Sequence, residues 1–385
     1  MWKRFAKELC CPVCSGDLGL EAIEQNLVEL PAEVLATAAK AGHESEAFRT
    51  YVDFGLLSCD GCKVVYPIWD GLPVFSVYET GVHKSFAAKF SDRLPSGYRF
   101  PSRQPEPGET FVMDSFSVEW ADYEYDEVIW EMSYEDHEKR FLEEVGMGPG
   151  SEAEIGRFLE IGCGIGITTH MAQRLFAADA VGVDLSLAVA KANRKFRDNP
   201  HMHFLQASAF HLPLRPASFD LVYSRGVLHH TCSTQRAFTA VAPQCRPKGL
   251  MYLWVYGSRS ISDNLFRRTL FLAEAALRPV LSKQPDSPLA TLVLGPLALA
   301  YKLFNRLRRF SDPTIQPLTL GRALHAARDR FTPRYAHRHE PGEVCGWFEG
   351  AGFRNVEVVD WRRMPTADHD DYRRNVGVRG VRLAE

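Results

Sequence analysis

The sequence predicts an α/β protein built on a doubly wound parallel sheet, and two observations predict it. The first is a glycine-rich turn at residues 162–166, placed directly after the apolar run 158–161. This arrangement is typical of a buried parallel strand that turns sharply into a helix and leaves its backbone bare for a ligand. The second is a series of further short apolar segments with the composition of strands. They lie at 180–184, 203–209, 219–224 and 250–257.

The spacing of the glycines narrows the kind of ligand. Dinucleotide binders need G-x-G-x-x-G, whose last glycine would fall on Ile167 in this chain. Here the third glycine is Gly166, and an acidic residue, Glu160, precedes the turn. The second strand ends on Asp184, whose carboxylate can accept hydrogen bonds from both hydroxyls of a ribose. The pattern therefore departs from the dinucleotide-binding motif.

These motifs, in this order between residues 155 and 257, resemble those of class I S-adenosylmethionine-dependent methyltransferases of the small-molecule type. The resemblance implies a Rossmann-like, seven-stranded sheet whose last strand is antiparallel, and S-adenosylmethionine as cofactor. It also implies a set of cofactor-binding residues. They are Glu160, Gly162, Cys163, Gly164, Gly166, Asp184, Leu185, Ser208, Ala209 and Ser224.

One position of this set departs from the family pattern. Many relatives carry an aspartate after the third strand that contacts the adenine amino group, whereas this chain carries Ser208 there. A serine hydroxyl can accept or donate one hydrogen bond. We therefore expect adenine recognition to depend more on backbone and apolar contacts.

A second motif lies near the amino terminus, where four cysteines form two C-x-x-C pairs. The pairs are Cys11 with Cys14 and Cys59 with Cys62, and four thiolates suit a closed, structural zinc site. Residues 8–76 resemble the small zinc-knuckle proteins that activate several methyltransferases in eukaryotes and archaea, here fused in the same chain. The alternative is a knuckle whose cysteines are buried as apolar residues without metal.

Composition and length frame the domain organisation. The chain has 385 residues and a net charge of −3, so nucleic acid is not the expected partner. Its nine cysteines, without a secretion signal, favour a cytoplasmic protein with reduced or metal-bound thiols.

We expect the chain to have three parts. They are a zinc-knuckle domain at 1–78, a linker with cap helices at 79–150, and a methyltransferase domain at 151–385 that contains a helical insertion at 258–320.

The insertion contains two apolar stretches with basic residues at their margins. The longer one, at 289–300, has about a dozen apolar residues and is predicted to be too short to span a bilayer. Three interpretations of the insertion stay open: a lid over an apolar substrate, a dimer surface, or peripheral membrane contact through residues 264–310. The oligomeric state does not follow from the sequence.

The residues that could remove a proton from the acceptor fall in two places. Some directly follow the fourth strand, and the others lie in a later Arg/His-rich segment at 322–339. They are His229, His230, His337 and His339, with Tyr335 as a group that can hydrogen-bond the substrate. The alternative for each histidine is a structural residue whose hydrogen bonds are satisfied within the protein. The alternative for the Arg/His-rich segment is a surface charge cluster.

Three functions compete. The first is O- or C-methylation of a small-molecule acceptor: a sugar, an isoprenoid or a lipid-linked intermediate. The second is methylation of a ribosomal RNA base, since some guanine-modifying enzymes also carry an amino-terminal four-cysteine zinc module. The third is a non-catalytic scaffold that binds the cofactor and docks a partner.

Overall fold

The computed structural model describes residues 1–30, 45–121, 128–129, 132–147, 154–258, 265–284, 287–311, 315–365 and 368–384. The chain forms two compact units. Unit 1 comprises Met1–Glu106, Ile155–Val222 and Ala240–Gly249, and unit 2 comprises Pro107–Glu154, Tyr223–Thr239 and Leu250–Glu385. The three-part domain division stays a prediction.

The amino-terminal part of unit 1 is a four-stranded antiparallel sheet. Its strands, in spatial order, are β1 (Gly19–Leu27), β2 (Thr50–Cys59), β3 (Val64–Trp69) and β4 (Leu72–Pro73), and helix α1 (Ser45–Arg49) precedes β2. Asp70 and Gly71 join β3 to β4 with positive φ angles of 49° and 74°. Two successive left-handed residues are typical of a tight hairpin turn. A Cβ on Gly71 would lie 2.3 Å from the Tyr51 hydroxyl, so glycine is required there.

The central sheet has seven strands in the order β12-β13-β11-β10-β7-β8-β9. The bounds are β7 Arg157–Ile161, β8 Asp179–Asp184, β9 Met202–Gln206, β10 Phe219–Arg225, β11 Cys245–Val255, β12 Phe353–Val358 and β13 Val376–Arg382. Strands β7, β8 and β9 pair in parallel, and β13 is antiparallel to both β11 and β12. The predicted seven-stranded α/β sheet with an antiparallel last strand is confirmed.

Short helices connect these strands. They are α2 Gly81–Lys89, α3 Glu109–Ala121, α4 Tyr134–Val145, α5 Ile167–Phe176, α6 Ala188–Lys195, α7 Thr234–Val241, α11 Pro341–Gly350 and α12 His369–Arg374. A two-residue strand pair, β5 (Val128–Ile129) and β6 (Met132–Ser133), precedes α4. The Ser133 side chain caps α4 by accepting from the Asp136 amide, and left-handed Gly146 ends the helix. Capping residues thus fix both ends of α4.

Within unit 1, the zinc-knuckle part packs directly on the parallel strands. The Phe75 amide donates to the Gln206 carbonyl at 2.8 Å, which extends the hydrogen bonding beyond β9. The Phe5 ring stacks on His203 with centroids 4.0 Å apart, and Arg4 forms an ion pair of 2.7 Å with Asp179. The zinc-knuckle part therefore shares hydrogen bonds and a packed core with the strands that carry the glycine turn.

Unit 2 has a buried polar hub at Glu144 in α4. Its carboxylate accepts hydrogen bonds from the Tyr223, Tyr252 and Tyr372 hydroxyls and pairs with the Arg225 guanidinium at 3.0 Å. These residues come from α4, β10, β11 and α12, and each gives the buried carboxylate a donor. A buried charge with this many partners is satisfied, so the hub holds the elements of unit 2 together.

The predicted insertion contains helices α8 (Leu265–Leu281) and α9 (Pro288–Ser311), followed by α10 (Leu320–Phe331). The prediction that its longer apolar stretch is too short to span a bilayer is wrong. The helix continues through Gly295 and Pro296 to Ser311, and its 24 residues are long and apolar enough to cross a membrane by length and composition. One stripe of α9 is nevertheless buried in unit 2, where Ala290 and Leu294 pack with Phe331 of α10.

Candidate functional site

The four predicted zinc ligands converge in unit 1. The sulfur atoms of Cys11, Cys14, Cys59 and Cys62 all lie within 4.8 Å of one another. Two of the separations are 4.0 Å (Cys11 to Cys62) and 3.5 Å (Cys14 to Cys59). Zinc–sulfur bonds of about 2.3 Å in a tetrahedron place the sulfurs roughly 3.8 Å apart. The four thiolates therefore fit a closed zinc site without an open position for substrate.

Local backbone geometry forms the two knuckles in the same way. The residue after the second cysteine of each pair, Ser15 or Lys63, has a positive φ, of 59° and 53° respectively. A Cβ on Gly16 would lie 3.3 Å from the Cys14 sulfur, so a larger residue there would crowd the ligands. Cys10 lies outside the four-sulfur group, as expected of a packed neighbour, and its amide donates to the Pro213 carbonyl at 3.0 Å.

The glycine turn lies at the carboxyl end of β7, and its three glycines all adopt left-handed backbone angles. The φ values are 79° at Gly162, 52° at Gly164 and 81° at Gly166. A Cβ on Gly166 would approach Phe204 and Ala192 to within 2.9 Å. The turn therefore depends on glycine both for its conformation and for the close packing of α5 on the sheet.

Asp184 ends β8 beside this turn, and its carboxylate is held from two directions. The Gly164 amide donates to one oxygen at 2.8 Å, and the Ser186 amide and hydroxyl both donate to the other at 2.7 Å. Burial raises the pKa of Asp184, and the Ser186 and Gly164 bonds oppose that shift. Each carboxylate oxygen has a further lone pair, so the group can also accept from ribose hydroxyls.

Glu160, the acidic residue before the turn, is buried and accepts a 2.5 Å hydrogen bond from the Thr169 hydroxyl. Burial raises its pKa to about 8, although the hydrogen bonds from Thr169 and Thr168 act in the opposite direction. A ligand amine placed against this carboxylate would favour its ionised form. Glu160 therefore fits a contact to a cationic part of a cofactor.

The remaining predicted cofactor residues take different places. Ser208 and half-buried Ala209 follow β9, and the Ser208 hydroxyl accepts from the Phe210 amide at 3.3 Å. Half-buried Leu185 follows Asp184, and its carbonyl accepts from Gln206 at 3.0 Å. The Cys163 side chain packs in an apolar cluster, and its amide donates to the Val183 carbonyl at 3.1 Å. Ser224 is buried in β10, within unit 2.

In unit 2, all the predicted catalytic residues come together. His229 and His230 are buried in a short turn after β10. The His337 amide donates to the His229 carbonyl at 2.9 Å, and a His230 ring nitrogen lies 2.7 Å from the Tyr335 carbonyl. His339 lies 2.9 Å from the Thr234 hydroxyl. The Arg/His segment therefore folds back against the turn that follows β10.

The two adjacent histidines differ from ordinary surface histidines in their protonation. Burial lowers the pKa of His230 to about 3 and that of His229 well below its usual value. Both are therefore neutral at physiological pH. Both ring nitrogens of His229 are buried without a hydrogen-bond partner among the described residues.

Sequence reasoning missed several residues that support the site. Thr169 donates to the Glu160 carboxylate and Ser186 donates to the Asp184 carboxylate. The short distances between these residues in the chain give a weak local signal, since the Asp-x-Ser spacing of Asp184 and Ser186 is typical of a side-chain-stabilised turn. Glu144 carried no signal, because the tyrosines that donate to it from β10 and β11 lie 79 and 108 residues away.

Comparisons with known proteins define the class. Residues 159–253 match the family model described as a methyltransferase domain, and residues 4–71 match the model described as Trm112p-like protein. The chain therefore carries a methyltransferase domain preceded by a Trm112-like domain with a four-cysteine cluster. The prediction of an S-adenosylmethionine-dependent methyltransferase with an amino-terminal zinc module is confirmed at the level of these domains.

Individual relatives match parts of the chain. An uncharacterized protein of Synechococcus is 32% identical over 114 residues, 28% of this chain and 27% of that protein. An uncharacterized methyltransferase of Mycobacterium tuberculosis is 28% identical over 168 residues, 43% of this chain and 83% of that protein. A solved complex of the Haloferax volcanii Trm112 methyltransferase activator with a methyltransferase has 14% identity and a TM-score of 0.41, covering 70% of this chain and 98% of that chain.

Proposed function

We propose that this protein transfers a methyl group from S-adenosylmethionine to a small-molecule acceptor: a sugar, an isoprenoid or a lipid-linked intermediate. The reaction is methylation at oxygen or carbon. The observation that carries the acceptor class is the partial burial of the Arg/His segment, in which two of the eight basic side chains are buried and six are half-buried. None of its eight arginines and histidines is exposed. They are Arg322, His325, Arg328, Arg330, Arg334, His337, Arg338 and His339.

This burial argues against the RNA alternative. A protein that binds RNA presents cationic side chains on its surface, where they can neutralise phosphates. Here none of the basic residues in the densest basic segment is fully exposed, and the chain carries a net charge of −3. Guanidinium and imidazole groups that the protein partly covers instead suit a small ligand enclosed by protein.

Residues of unit 1 take the cofactor-binding role in this proposal, and residues of unit 2 take the role of contacting the acceptor. Glu160, Asp184 and the glycine turn hold the cofactor, which supplies an already activated methyl group. Neutral His229 and His230 suit orientation of the acceptor, because their lowered pKa makes them weak bases. His337 and Tyr335 support them through the bonds described above, and His339 is a further candidate for proton removal. The zinc module stabilises the cofactor-binding strands from within the same chain.

The test is to incubate the full chain with cofactor labelled at its methyl group and host lysate separated into RNA, lipid and polar small-molecule fractions. We expect label in the lipid or the polar fraction, and about tenfold less of it at sub-saturating cofactor when the Asp184→Asn variant replaces the native chain. Label confined to RNA would overturn the proposal. Absence of transfer despite measurable cofactor binding would favour the scaffold alternative.

We further propose that the protein acts in the cytoplasm at an anionic membrane surface, through helix α9. Opposite its buried stripe, this helix exposes large apolar side chains at intervals of mostly three or four residues, with cationic side chains between them. The apolar residues are Leu289, Leu292, Leu299, Leu303, Phe304, Leu307 and Phe310, and the exposed cations are Lys302, Arg306 and Arg309. Apolar and cationic groups on one exposed helix are typical of interfacial membrane binding.

Vesicle flotation tests this membrane proposal. We expect the chain to float with vesicles containing phosphatidylglycerol and not with pure phosphatidylcholine. A Leu299→Ser, Leu303→Ser variant is expected to lose flotation, whereas Leu27→Ser, at an equally exposed position of unit 1, is expected to retain it. The membrane assignment is wrong if the native chain does not bind the vesicles. It is also wrong if light scattering shows that the native chain is a dimer and that the Leu299→Ser, Leu303→Ser variant dissociates it.

A further inference from the structure

We propose that Gln206 recognises the adenine 6-amino group of the cofactor, in place of the aspartate that many relatives carry at the position of Ser208. Gln206 is the last residue of β9, within unit 1. This inference rests on the proposed function, because it takes the cofactor to bind beside Asp184 and the glycine turn. It deepens that function by naming the side chain that distinguishes adenine from other bases.

Gln206 ends β9 at the edge of the sheet where the proposed cofactor residues lie. In the parallel pairing of β8 with β9 it stands opposite Asp184, the proposed ribose contact. The Ala207 amide donates to the Asp184 carbonyl at 3.0 Å, so the two strands stay paired up to this edge. In open α/β sheets, ligands bind outside the carboxyl ends of the strands. A base attached to a ribose at Asp184 would therefore lie near the end of β9.

One hydrogen bond fixes which way the Gln206 amide faces. Its Nε2 donates to the Leu185 carbonyl at 3.0 Å, in the loop that follows β8. A backbone carbonyl can only accept, so the amide nitrogen must face Leu185 and the amide oxygen must face away from it. The side chain thus connects the ends of β8 and β9 and presents its oxygen as an acceptor in one orientation.

This amide oxygen has no hydrogen-bond partner within the part of the chain that the structure describes. The residue is only 3% exposed, so bulk solvent does not supply the missing donor. An unpaired buried acceptor costs free energy, and native proteins rarely contain one. A ligand that brings an N–H group to Gln206 Oε1 would complete its hydrogen bonding, and the adenine amino group is such a donor.

Ser208, the residue at the usual adenine-contacting position, already takes part in a local turn. Its hydroxyl accepts from the Phe210 amide at 3.3 Å, and its carbonyl accepts from the His211 amide at 3.0 Å. Such bonds from a serine to the next residues are typical of a side-chain-stabilised turn. This engagement favours Gln206 over Ser208 as the acceptor for the amino group.

The chemistry of an amide oxygen selects adenine among the purines. Adenine carries an amino group at position 6, which donates, whereas guanine carries a carbonyl oxygen there, which only accepts. A 6-oxo base would place two acceptors against each other and leave both unpaired. Gln206 would therefore set the preference for adenine, in addition to the backbone and apolar contacts expected from the sequence.

The test measures, by isothermal titration calorimetry on the full chain, the binding of S-adenosylhomocysteine and of its 6-desamino analogue, in which hydrogen replaces the amino group. We expect the native chain to prefer the amino ligand by about tenfold, because the analogue leaves the buried oxygen unpaired. In Gln206→Met, and in the smaller Gln206→Leu, we expect the preference to fall below about twofold. Loss of the Leu185 bond alone would weaken both ligands equally and leave the preference unchanged.

Gln244→Met is the matched control. Gln244 is also a buried glutamine of unit 1, and its side-chain oxygen likewise has no partner among the described residues. It directly precedes β11, so it lies at the amino end of a strand rather than at the carboxyl end where ligands bind. We expect Gln244→Met to keep the native preference for the amino ligand.

Three results overturn the inference: no preference in the native chain, an unchanged preference in both Gln206 variants, or a preference lost in Ser208→Ala but kept in Gln206→Met. The last result would assign the contact to Ser208. If the native chain binds S-adenosylhomocysteine and the preference does not depend on Gln206, the role of Gln206 alone is refuted. If the native chain does not bind S-adenosylhomocysteine at all, the cofactor site of the proposed function is refuted, and this inference with it.

Discussion

Asp184 shows how one residue can combine a structural role with the binding role that we propose for it. Its carboxylate accepts from the Gly164 amide and from Ser186, so it joins the glycine turn of β7 to the loop after β8. These bonds hold the carboxylate in one orientation before any ligand arrives. Such preorganisation reduces the cost of ordering the group when a ribose binds.

We expect Asp184→Asn to weaken S-adenosylmethionine binding by about tenfold, because the hydroxyls of a ribose lose a charged acceptor. Isothermal titration calorimetry measures the change. Asp198→Asn, at an exposed position of the same unit, is the control and is expected to bind normally. Unchanged affinity in Asp184→Asn would mean that the ribose contact is assigned to the wrong residue.

At the scale of elements, the short helical turn Lys3–Glu8 is tied to β8 by charge. Arg4 is buried and donates to both Asp179 oxygens, and a His201 ring nitrogen lies 2.8 Å from one of them. Burial alone would raise the pKa of Asp179, but the hydrogen bonds from His201 and Arg4 outweigh it and hold the pKa below its usual range. The ionised carboxylate therefore contributes to the stability of unit 1.

The sign of the pH dependence follows from that lowered pKa. The contribution is complete above the unfolded-state pKa of about 4 and is lost as the pH falls towards the folded-state value. We expect Asp179→Asn to lower the free energy of unfolding at pH 7 by about 2 kcal/mol. Urea unfolding curves recorded at several pH values measure it.

Below pH 4 the curves of the native chain and Asp179→Asn are expected to converge. Asp17→Asn removes an ion pair with Arg215 from a side chain that is 88% exposed, so it is expected to change stability little at any pH. A constant difference between the native chain and Asp179→Asn across this range would show that ionisation of Asp179 contributes nothing.

At the scale of the whole molecule, local signals predicted some features and tertiary proximity determined others. The glycine turn, Asp184 and the cysteine pairs each depend on a few neighbouring residues, so the sequence predicted the sheet and the zinc cluster directly. Arg278 and Arg338, which lie 60 positions apart, approach the same buried glutamate, Glu274. Periodicity along the chain carries no information about such a convergence.

The length of α9 was mispredicted for a related physical reason. Gly295 and Pro296 interrupt the apolar stretch, and both residues disfavour helix interiors. The helix nevertheless continues to Ser311, because Ala298 packs with Leu318 and Ala323 beyond the interruption. Tertiary packing thus overrode local propensity.

The zinc-knuckle part contacts the parallel strands through the Phe75–Gln206 hydrogen bond and is also covalently connected to them, and this connection has a consequence for how the molecule responds to dilution. An activator that binds as a separate chain dissociates when its concentration falls below the dissociation constant. A covalent connection replaces that equilibrium with a fixed effective concentration, which does not change with the amount of protein. One zinc module therefore accompanies each set of cofactor-binding strands at a constant ratio, however scarce the protein becomes.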